Sequence, residues 1–149
     1  MSSIARAVLA TIVASLALLS GAVAWADIGQ IKSLSGEVYL IRNSVQQRAA
    51  VGGLVQQGDV LATGANSSAG ITFVDNSRLS VGSNTRIEIA QYRYDPTTQE
   101  GVFLTDIKRG TLYVVSGTIA KQPGEPMKVR TPTTVIAVRG TTLAVKVEE

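Results

Sequence analysis

Apolar and polar positions alternate along much of this chain, and in its middle the alternation keeps a fixed step. Ile71 and Phe73, Leu79 and Val81, and Ile87 and Ile89 form three apolar pairs, each eight residues beyond the last, separated by Asp75-Asn76-Ser77 and Gly82-Ser83-Asn84. A period of two predicts strands, and the regular step predicts equal strands joined by equal tight corners. Parity constrains the joints. A two-residue hairpin centred on Asp75-Asn76 would put Phe73 opposite Arg78 and throw the apolar pairs onto opposite faces. The pattern therefore requires either a three-residue loop over residues 75–77, with one residue left-handed as asparagine tolerates, or successive sides of a coiled ribbon. Both place the six apolar residues in the core.

The same pattern, read along the chain, predicts a first strand at residues 36–42 and an irregular, glutamine-rich crossing at 43–57, held by Val51 and Leu54. A short apolar piece follows at 58–64, where Asp59 is expected to accept hydrogen bonds from its own turn. Residues 90–100 form a polar excursion. In it Tyr92, Arg93, Tyr94 and Asp95 are a candidate exposed interaction loop, against the alternative of tyrosines covering a sheet edge. Strands are expected at 102–107 and 111–116, then a mobile or extended connection at 117–127. Residues 129–147 carry the strongest strand signal, rich in Val, Ile and Leu and interrupted at Thr131-Pro132 and Arg139-Gly140.

Composition fits this picture of an all-β chain of short strands, in a solenoid-like or two-sheet, sandwich-like arrangement. Hydrophobic residues make up 45% of the 149 positions but aromatics only 5%, and there are 14 glycines. Neither cysteine nor histidine occurs, which removes disulfides, thiolate nucleophiles, imidazole bases and the usual zinc ligands together. The net charge of +3 is spread singly, so no basic run makes a nucleic-acid footprint.

One end of the chain reads differently. Arg6 precedes an uncharged apolar run over residues 7–19, and Ala24 and Ala26 stand where a signal peptidase reads small residues. This predicts a secretory signal at 1–26, cleaved before Asp27, and a mature domain over 27–149 that is periplasmic or secreted and not stably inserted in the membrane. An uncleaved anchor over residues 7–26 is the competing expectation.

The wording of several segments, in order, resembles the FecR domain: GEVYL at 36–40, LVQQGDVLATG at 54–64, AGITFVDNSRLSVGSNTRIEI at 69–89, YRYDP at 92–96, KRGTLYVVSG at 108–117 and VRTPTTVIAVRGTT at 129–142. The resemblance implies a β-rich, non-enzymatic envelope domain of the kind that receives signals in iron-uptake regulation, here expected to stand alone and exported. It implies no cofactor, and it marks Thr131, Pro132, Arg139, Gly140 and Thr141 as family motif positions. Arg139 lies between core-like Val138 and Gly140, so its expected role is structural, satisfying carbonyls or pairing with an acid.

Function is accordingly expected to be protein binding, scaffolding or signalling in the envelope, by a sheet edge or loops. An unidentified envelope protein is the expected partner. Binding of a cell-wall glycan through Tyr92, Arg93 and Tyr94 is the alternative. Catalysis is not expected, because Asp59, Asp75, Asp95 and Asp106 each sit beside turn-forming residues. Calcium at Asp75, Asn76 and Asn84 lacks the spaced acidic loop that such a site uses.

Overall fold

The computed structural model describes residues 25–140 and 142–148; the expected signal segment lies almost wholly outside the described residues. Among them no helix is long and apolar enough to cross a membrane. The chain is all-β. Its strands are β1 (Asp27–Ser35), β2 (Val38–Arg42), β3 (Val45–Arg48), β4 (Leu54–Gln56), β5 (Val60–Thr63), β6 (Ser68–Phe73), β7 (Arg78–Val81), β8 (Arg86–Tyr94), β9 (Gly101–Val115), β10 (Met127–Arg130), β11 (Val135–Ala137) and β12 (Thr142–Val147). They form one curled half-barrel network, ordered β3-β2-β5-β8-β9-β7-β6-β1-β4, with β10 and β12 added along β9 and β11 along β10.

The curl comes from a line of corners. β9 runs unbroken from one half to the other, pairing with β8 and β10 before Gly110 and with β7 and β12 from Gly110 on. Gly110 takes φ +94 there, and a Cβ on it would overlap Thr85. Beside it β7 and β8 turn at Asn84 (φ 51), β5 and β6 at Asn66 (φ 51), and β1 and β2 at Gly36 (φ 74). Buried hydroxyls stitch these corners together. Thr63 Oγ1 donates to the carbonyl of Gly82 at 2.6 Å and accepts from the Thr85 N–H at 3.0 Å. Ser67 Oγ accepts from the Glu37 N–H at 2.9 Å, and Thr85 Oγ1 accepts from the Thr111 N–H at 3.0 Å. Bending a ladder frees backbone groups, and short hydroxyl side chains satisfy them without water.

All six residues of the repeating apolar pairs are buried, as the periodicity predicts. Ile71 lies opposite Leu79, and Phe73 N–H reaches the Ser77 carbonyl at 2.9 Å, so the β6–β7 loop holds three residues. It is shifted one residue from expectation, to 74–76, with Asn76 at φ 67 as its left-handed member. β7 to β8 is no hairpin; there the chain rounds a corner beside β9.

Four other expectations need correction. The first strand is β1, earlier than predicted, and it pairs with both β4 and β6. The crossing at 43–57 contains β3 and β4. β9 is one strand, not two, since Gly110 bends it without ending it. Residues 117–127 are pinned by a single 3₁₀ turn, Ile119–Lys121, whose Ile119 and Ala120 are buried.

Candidate functional site

Tyr92, Arg93 and Tyr94 lie on β8, so they are strand residues and not an exposed loop. Tyr92 is only 5% exposed. Its ring stacks on Phe73, with centroids 5.4 Å apart, and meets Phe103 edge-on at 4.9 Å. Arg93 is exposed and Tyr94 half-buried at the strand end. Asp95 opens the following turn, its carboxylate accepting from the Thr97 N–H at 2.8 Å. The structure therefore divides the predicted cluster: Tyr92 faces the core while Arg93 and Asp95 face solvent.

What Tyr92 reaches is Asp75, whose carboxylate is fully buried. It accepts from Tyr92 Oη at 3.0 Å, Ser77 Oγ at 2.6 Å, the Ser77 N–H at 3.2 Å and the Ile119 N–H at 3.2 Å. A carboxylate taking four donors has its lone pairs occupied, so it has none to offer a cation. No cluster of potential metal ligands is found among the described residues. Burial, the neighbouring Asp75 charge and the hydrogen bond to it raise the Tyr92 hydroxyl well above the usual phenol range.

Two ion pairs anchor the surface of the half-barrel. Arg42 grips buried Asp59 through two nitrogens, at 2.8 and 2.7 Å, while the Gln56 N–H donates to the same carboxylate at 2.8 Å. The expected role of Asp59 within its own turn is thus present, with Arg42 added. Arg130 holds Asp106 in the same two-pronged way, both distances being 2.6 Å. Burial pushes the Asp106 carboxyl up, but Arg130, with Lys108 at 3.6 Å, outweighs that and holds it below the ordinary range.

The motif positions near the C-terminus shape an edge. Thr131 Oγ1 accepts from the Thr134 N–H at 3.0 Å, closing the turn that contains Pro132 and leads from β10 into β11. Arg139 donates to the carbonyl of Gly124 at 2.7 Å, the kind of contact expected of it, and Gly140 takes φ +52. Thr141 lies outside the described residues. β11 pairs only with β10, and β12 only with β9, so each presents an outer edge unpaired by any other described strand. Between them lies a groove of about 380 Å³ whose lining includes Pro132, Ile136, Val145 and Val147. Val135, at the start of β11, is 54% exposed.

These edges, the corner hydroxyls and both arginine–aspartate pairs escape the periodicity. Only the Thr-Pro interruption before residues 135–137 signals that the last strands are short and peripheral.

A family model for FecR protein matches residues 59–149. No curated protein and no solved structure matches the chain. The matched span takes in β5 to β12, the bent ribbon of β7, β8 and β9, and the whole C-terminal edge, and it covers more than half of the sequence; the chain belongs to the FecR family.

Proposed function

We propose that this protein is a non-enzymatic binding module of the cell envelope, working in the periplasm, that takes an extended segment of a protein partner as an added strand on β11. Family membership suggests an envelope signalling or regulatory role. The observation that carries the strand-addition mode is the open outer edge of β11 beside an apolar groove. An unpaired edge offers a row of N–H and C=O groups in register for an incoming strand, and adjoining apolar side chains supply selectivity.

The ladder identifies which groups are free to receive it. Val138 N–H donates to the Met127 carbonyl at 2.9 Å, and Thr131 N–H to the Thr134 carbonyl at 2.8 Å. Alternation along an antiparallel pair then turns the Ile136 backbone toward β10 and those of Val135 and Ala137 outward. Ala137→Pro removes one outward N–H and leaves the β10 bonds in place, a change that edge strands accommodate.

Capture from periplasmic extract tests this. The native protein should retain a specific partner, and Ala137→Pro, melting at the native temperature, should release it. Equal capture by both proteins would move the partner away from β11.

A further inference from the structure

The outer face made by β12, β9, β7, β6 and β1 has a different chemistry. Tyr113 stands on β9 with Ala144 opposite on β12 and Ser80 opposite on β7, and Gly70 lies beyond Ser80. Neighbours this small cannot shield the ring, which is 50% exposed. Arg78 and Lys146 are its diagonal neighbours on the two flanking strands, because Ser80 and Ala144 are its direct partners. A diagonal step on one sheet face is about 7–8 Å, so the two cations bracket the ring on opposite sides. Besides Tyr113 and Val115, the paired positions of this face hold hydroxyl, amide, small and cationic side chains and no carboxylate. Glu148 approaches only as the exposed partner of Lys146, at 2.9 Å. An exposed pair of this kind exchanges readily for another anion.

An open aromatic ring beside serine and threonine hydroxyls, flanked by cations, has the features that a sugar chain bearing acidic groups requires. The C–H face of a sugar ring packs on the aromatic face, sugar hydroxyls exchange hydrogen bonds with serine and threonine, and carboxylates or phosphates pair with arginine. Cations without a carboxylate at the paired positions favour an anionic over a neutral chain. We infer that this face binds an anionic polysaccharide, with one sugar ring stacked on Tyr113 and neighbouring acidic groups paired to Arg78 and Lys146. Lys146 also lines the groove beside β11, whereas Tyr113 and Arg78 do not, so substitutions at Tyr113 and Arg78 test this face apart from the β11 site.

Native gels cast with polygalacturonate, with dextran or with no polymer test it, using the exported protein. Polygalacturonate should retard the native protein and dextran should not. Tyr113→Ala should weaken binding roughly tenfold, the loss of one aromatic contact, while Tyr113→Phe retains it. Arg78→Gln should also weaken it, whereas Lys121→Gln, removing an equal charge from the 3₁₀ turn, should not. Matching melting curves establish that the variants are folded, and Arg78→Gln serves as an independent test should Tyr113→Ala melt early. Absence of retardation in polygalacturonate would overturn the inference. So would equal weakening by Lys121→Gln, which would reduce the effect to general cation attraction. A Tyr113→Ala change from dimer to monomer on sedimentation would identify a second copy of the chain as the occupant and overturn it as well.

Discussion

The hydroxyl of Tyr92 donates to the carboxylate of Asp75 across 3.0 Å, fastening the end of β8 to the β6–β7 turn where both residues are buried. Through Ser77 and Ile119 the same carboxylate also fixes the chain leaving β9. One charged group thus ties three separated segments together, and each of its contacts is a hydrogen bond from a neutral donor. A buried charge is tolerable only on such terms.

Tyr92→Phe keeps the ring packing and deletes this donor. It should lower stability by about 1–3 kcal/mol, the usual consequence of leaving a buried polar group one partner short. Urea denaturation of the two proteins measures the difference. A change within a few tenths of a kcal/mol would show that the hydroxyl is dispensable to the fold.

Alkaline titration should separate the same pair. The folded Tyr92 hydroxyl is raised above its ordinary value, mainly by burial. An unfolded tyrosine therefore ionises first as pH rises. The stabilisation is fully present below about pH 10 and declines above it, by up to about 1.4 kcal/mol per pH unit for this one group. Above pH 10 the native protein should lose stability more steeply than Tyr92→Phe. Parallel profiles would assign the decline to other groups.

These residues also show where sequence reading works and where it stops. Ile71, Leu79 and Ile87 betray their burial by period alone, because a strand with one wet face has no other way to sort its side chains. Tyr92 fits the same alternation, two after Ala90 and three after Ile89, only once the bulge between Ile89 and Gln91 is known. The bulge moves it from the solvent face to the core, and tyrosine beside arginine otherwise suggests a binding loop. Likewise Thr63, Ser67 and Thr85 look like ordinary turn residues. Their value lies in satisfying corner groups up to 30 residues away, which no local pattern encodes. The outer edge of β11 is open because no other described strand pairs with it, which only the topology of the described residues shows.

The family match begins at Asp59, yet the folding unit begins earlier. β1 sits between β4 and β6, and β2 pairs with β5, so residues 27–58 contribute Ile31, Val38, Leu40 and Val55 to the core. Arg42, the partner of buried Asp59, is lost with them. A fragment of residues 59–149 should therefore lack a cooperative unfolding transition, while 27–149 shows one. A sharp thermal transition for the shorter fragment would refute this.

Acid should act through Asp106. Its folded carboxyl lies below the ordinary range because the Arg130 contact and Lys108 overcome the effect of burial. A depressed acid contributes stability above its unfolded value near 3.9, and that contribution is lost as pH falls below it. Arg130→Met should flatten the fall in urea midpoint between about pH 5 and pH 2. An unchanged slope would exclude the pair as a source of acid sensitivity.

The corner at Gly110 offers the sharpest structural test. Gly110 and Gly124 both have positive φ, +94 and +84, so alanine is conformationally strained at each. They differ in surroundings. A Cβ at Gly110 would overlap the Thr85 side chain and backbone, whereas one at Gly124 meets nothing within 4 Å. Gly124→Ala should thus cost about 1–2 kcal/mol from backbone strain alone. Gly110→Ala should exceed about 3 kcal/mol, because Thr85 is held by hydrogen bonds to both Thr63 and Thr111 and cannot withdraw without opening the corner. Replacing Thr85 with glycine in the Gly110→Ala background relieves the overlap but not the strain or the lost hydroxyl, so it should recover only part of the deficit. Equal destabilisation by the two single alanine variants would show that the close approach at Gly110 is not what bends β9.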